Sequence, residues 1–418
     1  MRTFALCLAL LAVVFSTHAT AQNHVNGYAA ATTSGRVYLI DGVGTTSTVQ
    51  AGSSTGYGLV MDRSNTLLIL VDYSGSLVKI DPQAKAVVGT LATGLASPRD
   101  IAVGADGDYY VIDGSGRLWK VDAVGGVTTV SSAVGGSTYG GMDVDIDTGD
   151  LLVQSATGTD PLIRVARDGS TITTLGTGFD ARYGITQHIP TGDVFSGSCC
   201  GDQSPPENVF VLRAGQSTAT VWWSANLAPV GVYSLKADRA SAANQRLILG
   251  SLGSTVARGQ GVYRIDMATQ AVTQVTTITT SIYETEILYR RNIFSVSQGK
   301  GVWDIGILVP EDAGAPYVLG VSATGVRPGL PLNDGRRINL TPDTLTVVGL
   351  TTGLAPFLTG TAGNLNAKGL GAARLDLSLL GPAANGVLLY FEVLTLDPRA
   401  PNGIKTITDP HVIEVEGL

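Results

Sequence analysis

A similar short segment recurs six times along the chain, at intervals of 40 to 50 residues. The six segments occupy residues 56–60, 98–102, 139–143, 183–186, 232–235 and 282–285. Between them lie short runs with the alternation typical of β-strands, separated by turns rich in Gly, Asp and Ser. A strand-and-turn repeat of this length predicts a β-propeller, with one four-stranded blade for each repeat.

The composition agrees with an all-β fold. Of the 418 residues, 53 are glycine and 15% are charged, and the mean hydropathy is positive. Such a composition suits tight turns and strands better than helices. It excludes an extended disordered chain, which needs high charge and few apolar residues. The length is sufficient for two domains.

The first 21 residues have the pattern of a secretory signal. Arg2 stands near the start, an apolar run covers residues 4–15, and Ala19-Thr20-Ala21 offers a cleavage site. The apolar run is too short to span a bilayer, and no later segment has the character of a membrane helix. We therefore expect a protein that is secreted, periplasmic or located at the cell surface.

The charge of the predicted mature chain argues against nucleic-acid binding. Without residues 1–21, 26 basic and 34 acidic residues give a formal charge of −8. Nucleic acids and anionic membranes are bound through basic patches, and the sequence has no cluster of Lys and Arg. The partner is expected to be a small molecule, a glycan or a protein, and the chain is expected to be a monomer.

The two ends of the repeat region complement each other. Residues 28–50 contain the later strands of a blade, at 36–40 and 47–50, whereas early strands are predicted at 286–288 and 292–296. One blade built from both ends closes the ring and removes free sheet edges. The sequence thus predicts a six-bladed propeller over residues 22–298. A separate blade for the strand at 28–32 would make the number seven.

The turns and third strands of the repeats carry a family resemblance. Turns such as Asp113-Gly114-Ser115-Gly116 are followed by strands such as Leu118-Trp119-Lys120-Val121-Asp122. Together with the Gly-Ile/Leu-x-Val entry segments, they resemble NHL and SMP-30/gluconolactonase-like six-bladed propellers, over about residues 25–297. The resemblance implies the fold, and it implies an activity only weakly.

Residues 299–418 follow a different pattern. Strands are predicted at 302–309, 317–321, 345–348, 372–377 and 387–395, with Pro-Gly turns between them. Alternation with turns at short spacing predicts a β-sandwich. The segments 328–338 and 390–398 resemble a C-terminal β module of secreted proteins from planctomycete-like bacteria, to which no activity is attached.

A ring of tyrosines is predicted where the inner strands of the blades begin. The entry positions of the six blades hold Tyr57, Arg99, Tyr139, Tyr183, Tyr233 and Tyr283. Tyr139 is either equivalent to the others or displaced by one residue. Tyrosine combines an apolar body with a polar tip, which suits sugars, aromatic ligands or peptides. The alternative is that each tyrosine packs between blades with its hydroxyl bonded to backbone.

Four carboxylates also lie in the inner strands, namely Asp100, Asp143, Glu284 and Glu286. Converging carboxylates predict a site for a divalent cation such as Ca²⁺. The SMP-30-like lactonases hold a metal with a Glu near the start of an inner strand, and Glu284 has a comparable place. The Asn and Asp ligands of that family have no match in this chain. Structural or solvated carboxylates are the favoured interpretation.

The histidines and cysteines indicate no metal centre or nucleophile. His24, His188 and His411 are scattered. Streptogramin lyase-like propellers use a catalytic histidine near the mouth, whereas His188 lies at the far end of an inner strand.

Cys199 and Cys200 are adjacent and are the only cysteines after residue 21. In an oxidising compartment we expect them to form a disulfide that stiffens their loop and adds little to global stability. Thiol labelling under denaturing, non-reducing conditions should find no free thiol in the exported protein. Two labelled thiols would disprove the pairing.

Three functional hypotheses follow from these patterns. The leading one is a secreted, non-catalytic propeller that binds a ligand or protein partner at its tyrosine-lined face. The second is an SMP-30-like metal-dependent hydrolase, a lactonase. The third is a purely structural protein of the cell surface.

Overall fold

The structure is a computed structural model. It describes residues 27–41, 43–134, 139–155, 161–179, 183–198, 207–225, 231–238, 246–252, 260–288, 293–351, 353–416 and 418. The predicted signal segment and the Cys199–Cys200 pair lie outside these residues.

The propeller has six four-stranded antiparallel blades. Blade one takes its second to fourth strands from the start of the chain: β1 (Tyr28–Thr32), β2 (Arg36–Ile40) and β3 (Thr46–Gln50). Blade two consists of β4 (Gly56–Met61), β5 (Leu68–Asp72), β6 (Ser76–Asp81) and β7 (Ala86–Ala92). Blade three consists of β8 (Pro98–Val103), β9 (Tyr109–Asp113), β10 (Leu118–Val121) and β11 (Val127–Ser131).

Blades four to six continue the repeat. Blade four consists of β12 (Tyr139–Val144), β13 (Leu151–Ser155), β14 (Leu162–Val165) and β15 (Ile172–Gly176). Blade five consists of β16 (Tyr183–His188), β17 (Asp193–Gly197), β18 (Glu207–Leu212) and β19 (Thr220–Ala225). Blade six consists of β20 (Gly231–Asp238), β21 (Arg246–Leu252), β22 (Gly261–Asp266) and β23 (Val272–Thr277).

The ring closes through β24 (Ile282–Ile287), which is the inner strand of blade one and pairs antiparallel with β1. The closure of one blade by both ends is therefore confirmed. The strand at 28–32 is the second strand of this blade and forms no seventh blade.

Aspartates in the turns explain why the repeat is visible in the sequence. Asp62 Oδ1 accepts hydrogen bonds from the backbone N–H groups of Thr66 (2.7 Å) and Leu67 (2.8 Å). Asp113 Oδ1 does the same for Ser115 (2.8 Å) and Arg117 (2.9 Å). Asp62 lies between the first and second strands of blade two, and Asp113 ends the second strand of blade three, where the turn to the third strand begins. Aspartate thus satisfies the backbone donors of tight turns at more than one place in the repeat.

The second domain consists of two packed sheets. The first sheet has the order β25 (Ile293–Gly299), β26 (Val302–Leu308), β32 (Leu370–Asp376) and β30 (Leu358–Thr359). The second has the order β31 (Ala362–Asn364), β27 (Pro316–Ser322), β33 (Leu388–Leu396) and β34 (Ile404–Ile407), with β35 (His411–Glu414) also paired to β33. A small hairpin joins β28 (Leu330–Pro331) and β29 (Arg337–Ile338). Buried residues of both sheets, such as Trp303, Ile305, Phe391 and Val393, share one core.

One strand predicted from the sequence belongs to the other domain, and another predicted strand is a helix. The segment 292–296 does not belong to blade one, because Ile293 pairs with Ile307 in the second domain. Residues 345–348 lie within the helix α1 (Thr344–Thr351) rather than in a strand. Asp343 Oδ1 accepts a hydrogen bond from the Thr346 N–H (2.8 Å), which is a helix N-cap, and this cap outweighs the β-propensity of the Val and Thr residues that follow.

The second domain packs on the end of the propeller opposite the entry positions. Arg63, just beyond the inner strand β4, donates to Ser295 Oγ (3.0 Å) and to the Val412 carbonyl (2.9 Å). Arg327 of the second domain donates to the carbonyl of Ile189 (2.6 Å), just beyond the inner strand of blade five, and forms an ion pair with Asp147. The second domain therefore covers the floor of the propeller. In the described part of the chain no helix has the length and apolarity needed to cross a membrane.

Candidate functional site

Each inner strand contains a β-bulge at its entry end. In all six strands one residue is extra, because its two neighbours pair with consecutive residues of the adjacent strand. Bulges re-aim side chains and often lie next to functional sites. The bulged residues are Tyr57, Arg99, Gly140, Gly184, Tyr233 and Tyr283.

This register corrects the sequence alignment of blade five and decides that of blade four, where Tyr139 is displaced by one residue. Tyr139 and Tyr183 each precede the bulge, and the positions equivalent to Tyr57 are glycines. Gly184 has a φ of 65°, and a Cβ there would lie 2.6 Å from the backbone nitrogen of Leu235 in blade six. A tyrosine cannot take this position, so the tyrosine moves back by one residue. The side chains of Tyr139 and Tyr183 lie outside the described residues.

The remaining four predicted residues form one continuous row. The rings of Tyr233 and Tyr283 lie 4.8 Å apart between centroids, and those of Tyr283 and Tyr57 lie 4.9 Å apart, both edge to face. The Arg99 guanidinium carbon stands 4.4 Å from the centroid of the Tyr57 ring. These are favourable geometries for aromatic pairs and for cation–π contacts.

Tyr73 extends the row and was missed by the sequence reasoning. Its ring lies 5.3 Å from the Tyr57 ring and 5.0 Å from the Arg99 guanidinium carbon. It lies in the turn between the second and third strands of blade two, on the face where the inner strands begin. An aromatic residue in such a turn was the available signal. We call Tyr57, Tyr73, Arg99, Tyr233 and Tyr283 the mouth cluster.

The mouth cluster is partly accessible. Tyr73 is 37% exposed, Tyr57, Arg99 and Tyr283 are half-buried, and Tyr233 is buried. Tyr57 and Tyr283 are therefore neither fully exposed nor fully packed between blades.

Below the mouth, one buried lysine faces the four carboxylates that the sequence singled out. Lys236 is 4% exposed, and its Nζ lies 3.9 Å from a carboxylate oxygen of Glu284. The carboxylates of Asp100, Glu284 and Glu286 are buried as well. Lys236 was missed by the sequence reasoning, although a lysine within an otherwise apolar inner strand was a usable signal.

Burial and mutual charge set the protonation of this cluster. Burial raises the pKa of Glu284 to about 8, against the attraction of Lys236 and hydrogen bonds from Ser234 and Thr285. Burial likewise raises the pKa of Asp100 to about 6, again opposed by Lys236. Burial alone would lower the pKa of Lys236, but the carboxylates around it, led by Glu284, raise it above its ordinary value. Lys236 is therefore a cation at neutral pH and not a nucleophile.

The polar side chains of the inner strands also join neighbouring blades. Asp100 Oδ2 accepts a hydrogen bond from the Met142 N–H (2.6 Å), and Asp143 Oδ2 accepts one from the Gln187 N–H (3.0 Å). Around the ring, the Thr186 hydroxyl accepts from the Ala237 N–H (3.0 Å) and the Ser234 hydroxyl from the Thr285 N–H (2.7 Å). The network links blades three to six and blade six to blade one.

The hydrogen bonds between blades give the carboxylates a structural role, and their positions bear on the predicted cation site. Within the described residues, the group that brings three acidic ligand atoms within 4.8 Å of one another is Asp106, Glu414 and Glu416, at the domain interface. Asp100, Asp143 and Glu284 form no such group and face the ammonium of Lys236. A Ca²⁺ site on these three residues stays a prediction.

A cavity of about 120 Å³ continues from this cluster to the second domain. Lys236, Asp143 and Glu286 line its upper end, and Arg63 and His411 line its lower end. His411 Nε2 lies 2.9 Å from Ser295 Oγ, and His188 Nδ1 lies 2.8 Å from Thr191 Oγ1. Both histidines thus lie at the floor, away from the mouth cluster.

No protein-family model matches the chain, and no curated protein matches it significantly. Among solved structures, a chain of the nidogen/laminin complex aligns with a TM-score of 0.50 and 14% identity, over 63% of this chain and 98% of its own length. The shared feature is the β-propeller. At this identity the similarity concerns the fold alone.

Two further solved structures match at lower scores. Hydrazine synthase from Kuenenia stuttgartiensis aligns with a TM-score of 0.40 and 13% identity, over 60% of this chain and 76% of its own. Virginiamycin B lyase from Staphylococcus aureus aligns with a TM-score of 0.39 and 13% identity, over 52% of this chain and 71% of its own. The more specific resemblance to NHL and SMP-30-like propellers stays a prediction.

Proposed function

We propose that this protein is an exported, non-catalytic β-propeller of the NHL/SMP-30-like type that binds a ligand or protein partner at the mouth cluster. The observation that carries the proposal is the row formed by Tyr233, Tyr283, Tyr57 and Arg99. These residues take the bulge positions of four successive inner strands around the ring, and each contacts the next. The signal-like pattern of residues 1–21 supports export.

The chemistry of the row favours binding. Half-buried tyrosines offer a rigid apolar surface with few rotatable bonds, so little entropy is lost when a ligand packs on them. Inner-strand bulges hold these side chains on a scaffold of paired strands, which keeps the surface organised before a ligand arrives. A pre-organised aromatic surface at a propeller mouth is well suited to capture a ligand.

The buried charges below the mouth favour a structural role over catalysis. Lys236 is charged and is enclosed by carboxylates. Asp100 and Asp143 each accept a hydrogen bond from a backbone N–H group of the next blade. This arrangement supports a stabilised channel rather than a nucleophile with its base. The test below also distinguishes the two alternatives, a metal-dependent lactonase and a structural protein of the cell surface.

Replacing both Tyr57 and Tyr283 with alanine is expected to abolish detectable binding while the propeller stays folded. Each lost contact should cost about 1–3 kcal/mol, which is about ten- to a hundredfold or slightly more in affinity. The measurement is a glycan and peptide array with wild-type protein, followed by calorimetric titration of the strongest hit with both proteins.

The matched control replaces Tyr38 and Trp119, two half-buried aromatics on third strands away from the mouth. This control should bind like the wild type. If both double variants lose only thermal stability and neither changes any binding, the tyrosines serve packing and the protein is structural. If the hit is hydrolysed and a chelator stops the hydrolysis, the lactonase hypothesis replaces the binding proposal.

A further inference from the structure

Arg99 holds an unusual set of contacts within the mouth cluster. Its guanidinium lies against two tyrosine rings, 4.4 Å from the centroid of Tyr57 and 5.0 Å from that of Tyr73. Its Nε is shielded from solvent and has no hydrogen-bond acceptor among the described residues. No ion pair links Arg99 to any carboxylate of the described part of the chain. A buried N–H donor that has no acceptor is costly to maintain.

The contrast with Arg117 shows that this state is specific to the mouth. Arg117 also lies over an aromatic ring, with its guanidinium carbon 5.1 Å from the centroid of Trp119. None of its side-chain nitrogens is among the buried donors without a partner in the described residues, so water can satisfy it. The two arginines lie in the same blade, and each makes a cation–π contact with its own aromatic ring. They differ because only Arg99 has a buried donor without a partner among the described residues.

The acidic groups around Arg99 are already engaged. Its neighbour Asp100 accepts from the Ile101 N–H (2.7 Å) and the Met142 N–H (2.6 Å), and it is attracted to Lys236. Asp72, at the end of β5, accepts from the Ser53 N–H (3.1 Å) and the Ser74 hydroxyl (2.7 Å). The Nη groups of Arg99 are not among the buried donors and have no acceptor among the described residues, so they remain open to a group that arrives from outside.

We propose that Arg99 binds an oxyanion of the ligand, a carboxylate, sulfate or phosphate, while the tyrosines of the mouth cluster hold the ligand's apolar or ring-bearing body. This inference rests on the proposed function and names the chemistry of its ligand. A guanidinium presents parallel N–H donors that match the two oxygens of such a group. The stacked rings fix the guanidinium plane, so its orientation is set before the anion binds.

The test uses four small aromatic probes on the full-length protein. Benzoate, phenyl phosphate and phenyl sulfate carry an oxyanion, and benzamide is the neutral counterpart of benzoate. Titrations follow the ¹H–¹⁵N signals of arginine Nε–H groups and the intrinsic tyrosine fluorescence. Benzoate should shift the Arg99 signal and bind at least about tenfold more tightly than benzamide. The order among the three anions shows which oxyanion the site prefers.

Substitutions locate the effect. Arg99→Gln should weaken binding of the preferred anion by about tenfold or more and leave benzamide unchanged. Arg99→Lys keeps the charge but loses the paired donors, and it should fall between the two. The matched control Arg117→Gln removes the same charge from the same blade and should bind like the wild type.

The outcomes separate this inference from the proposed function. If no anion binds better than benzamide at roughly 10 mM, or if Arg99→Gln and the wild type bind alike, the oxyanion inference is wrong. If Arg99→Gln changes nothing but the Tyr57/Tyr283 double variant loses every probe, the mouth cluster binds through its rings alone and the proposed function stands. If that double variant keeps full, Arg99-dependent binding of the anion, Arg99 is an oxyanion site, but the role of the tyrosines in both proposals is wrong.

Discussion

Replacing Lys236 with methionine should lower the free energy of unfolding by about 3–5 kcal/mol, the usual cost of removing one partner from a buried ion pair. Methionine replaces the four-atom stem of the lysine side chain, so the change removes the ammonium group and leaves little cavity. The buried carboxylates of Asp100, Glu284 and Glu286 then face one another without their cation. A carboxylate that stays ionised in this poorly solvated channel then has no cation to offset its desolvation.

Urea unfolding of the two proteins measures this effect, and Lys120→Met is the matched control. Lys120 also pairs with two aspartates, Asp106 and Asp108, each at 2.9 Å, but its side chain is 31% exposed. The control should lose about 1 kcal/mol or less. Acid should rescue Lys236→Met in part, because protonated carboxyl groups need no cation. If both variants lose the same free energy of unfolding and low pH does not rescue Lys236→Met, Lys236 does not compensate the charge of the buried carboxylates.

Replacing Glu284 with glutamine should flatten the decline of stability with rising pH. The pKa of Glu284 is about 8 in the folded protein, against 4.5 as its ordinary value, so the folded state binds the extra proton between these limits. Stability from this proton is fully present below about pH 4.5 and is lost as the pH rises through about 8. The wild type should therefore be less stable at pH 8.5 than at pH 5, by up to a few kcal/mol at about 1.4 kcal/mol per unit of pKa shift.

Urea midpoints measured from pH 5 to pH 8.5 test this prediction. The glutamine variant should gain stability relative to the wild type as the pH rises. Glu392 of the second domain has its pKa raised to about 8 by burial as well, and Glu392→Gln should remove a separate part of the slope. If Glu284→Gln keeps the full slope of the wild type, the titration of Glu284 is not coupled to folding.

The sequence was sufficient for the architecture because the period of the blades appears in residue types. Asp62 and Asp113 satisfy the backbone donors of two different turns of the blade, so aspartate marks the ends of strands in the sequence. The closure by β1 and β24 followed from counting strands at the two ends. The strand at 293–299 was assigned to the wrong domain, since a single β-pattern carries no information about its partner strand.

The site was less predictable, because it depends on register. A bulge adds one residue to an inner strand without a fixed residue type, so Tyr183 could be aligned with Tyr57 although Gly184 occupies the equivalent position. Lys236 was missed for a related reason. Its proximity to the carboxylates depends on how the six inner strands are arranged around one axis, which the sequence does not state. Tyr73 was missed because it lies in a turn, outside the repeated entry segment.

Hydrogen–deuterium exchange with and without the strongest array hit tests the binding claim most directly. The account predicts slower exchange at the entry ends of the inner strands, in peptides covering residues 56–58, 98–100 and 282–284, with no change in the second domain. Protection confined to the second domain or to the outer strands of the blades would contradict a binding site at the mouth cluster.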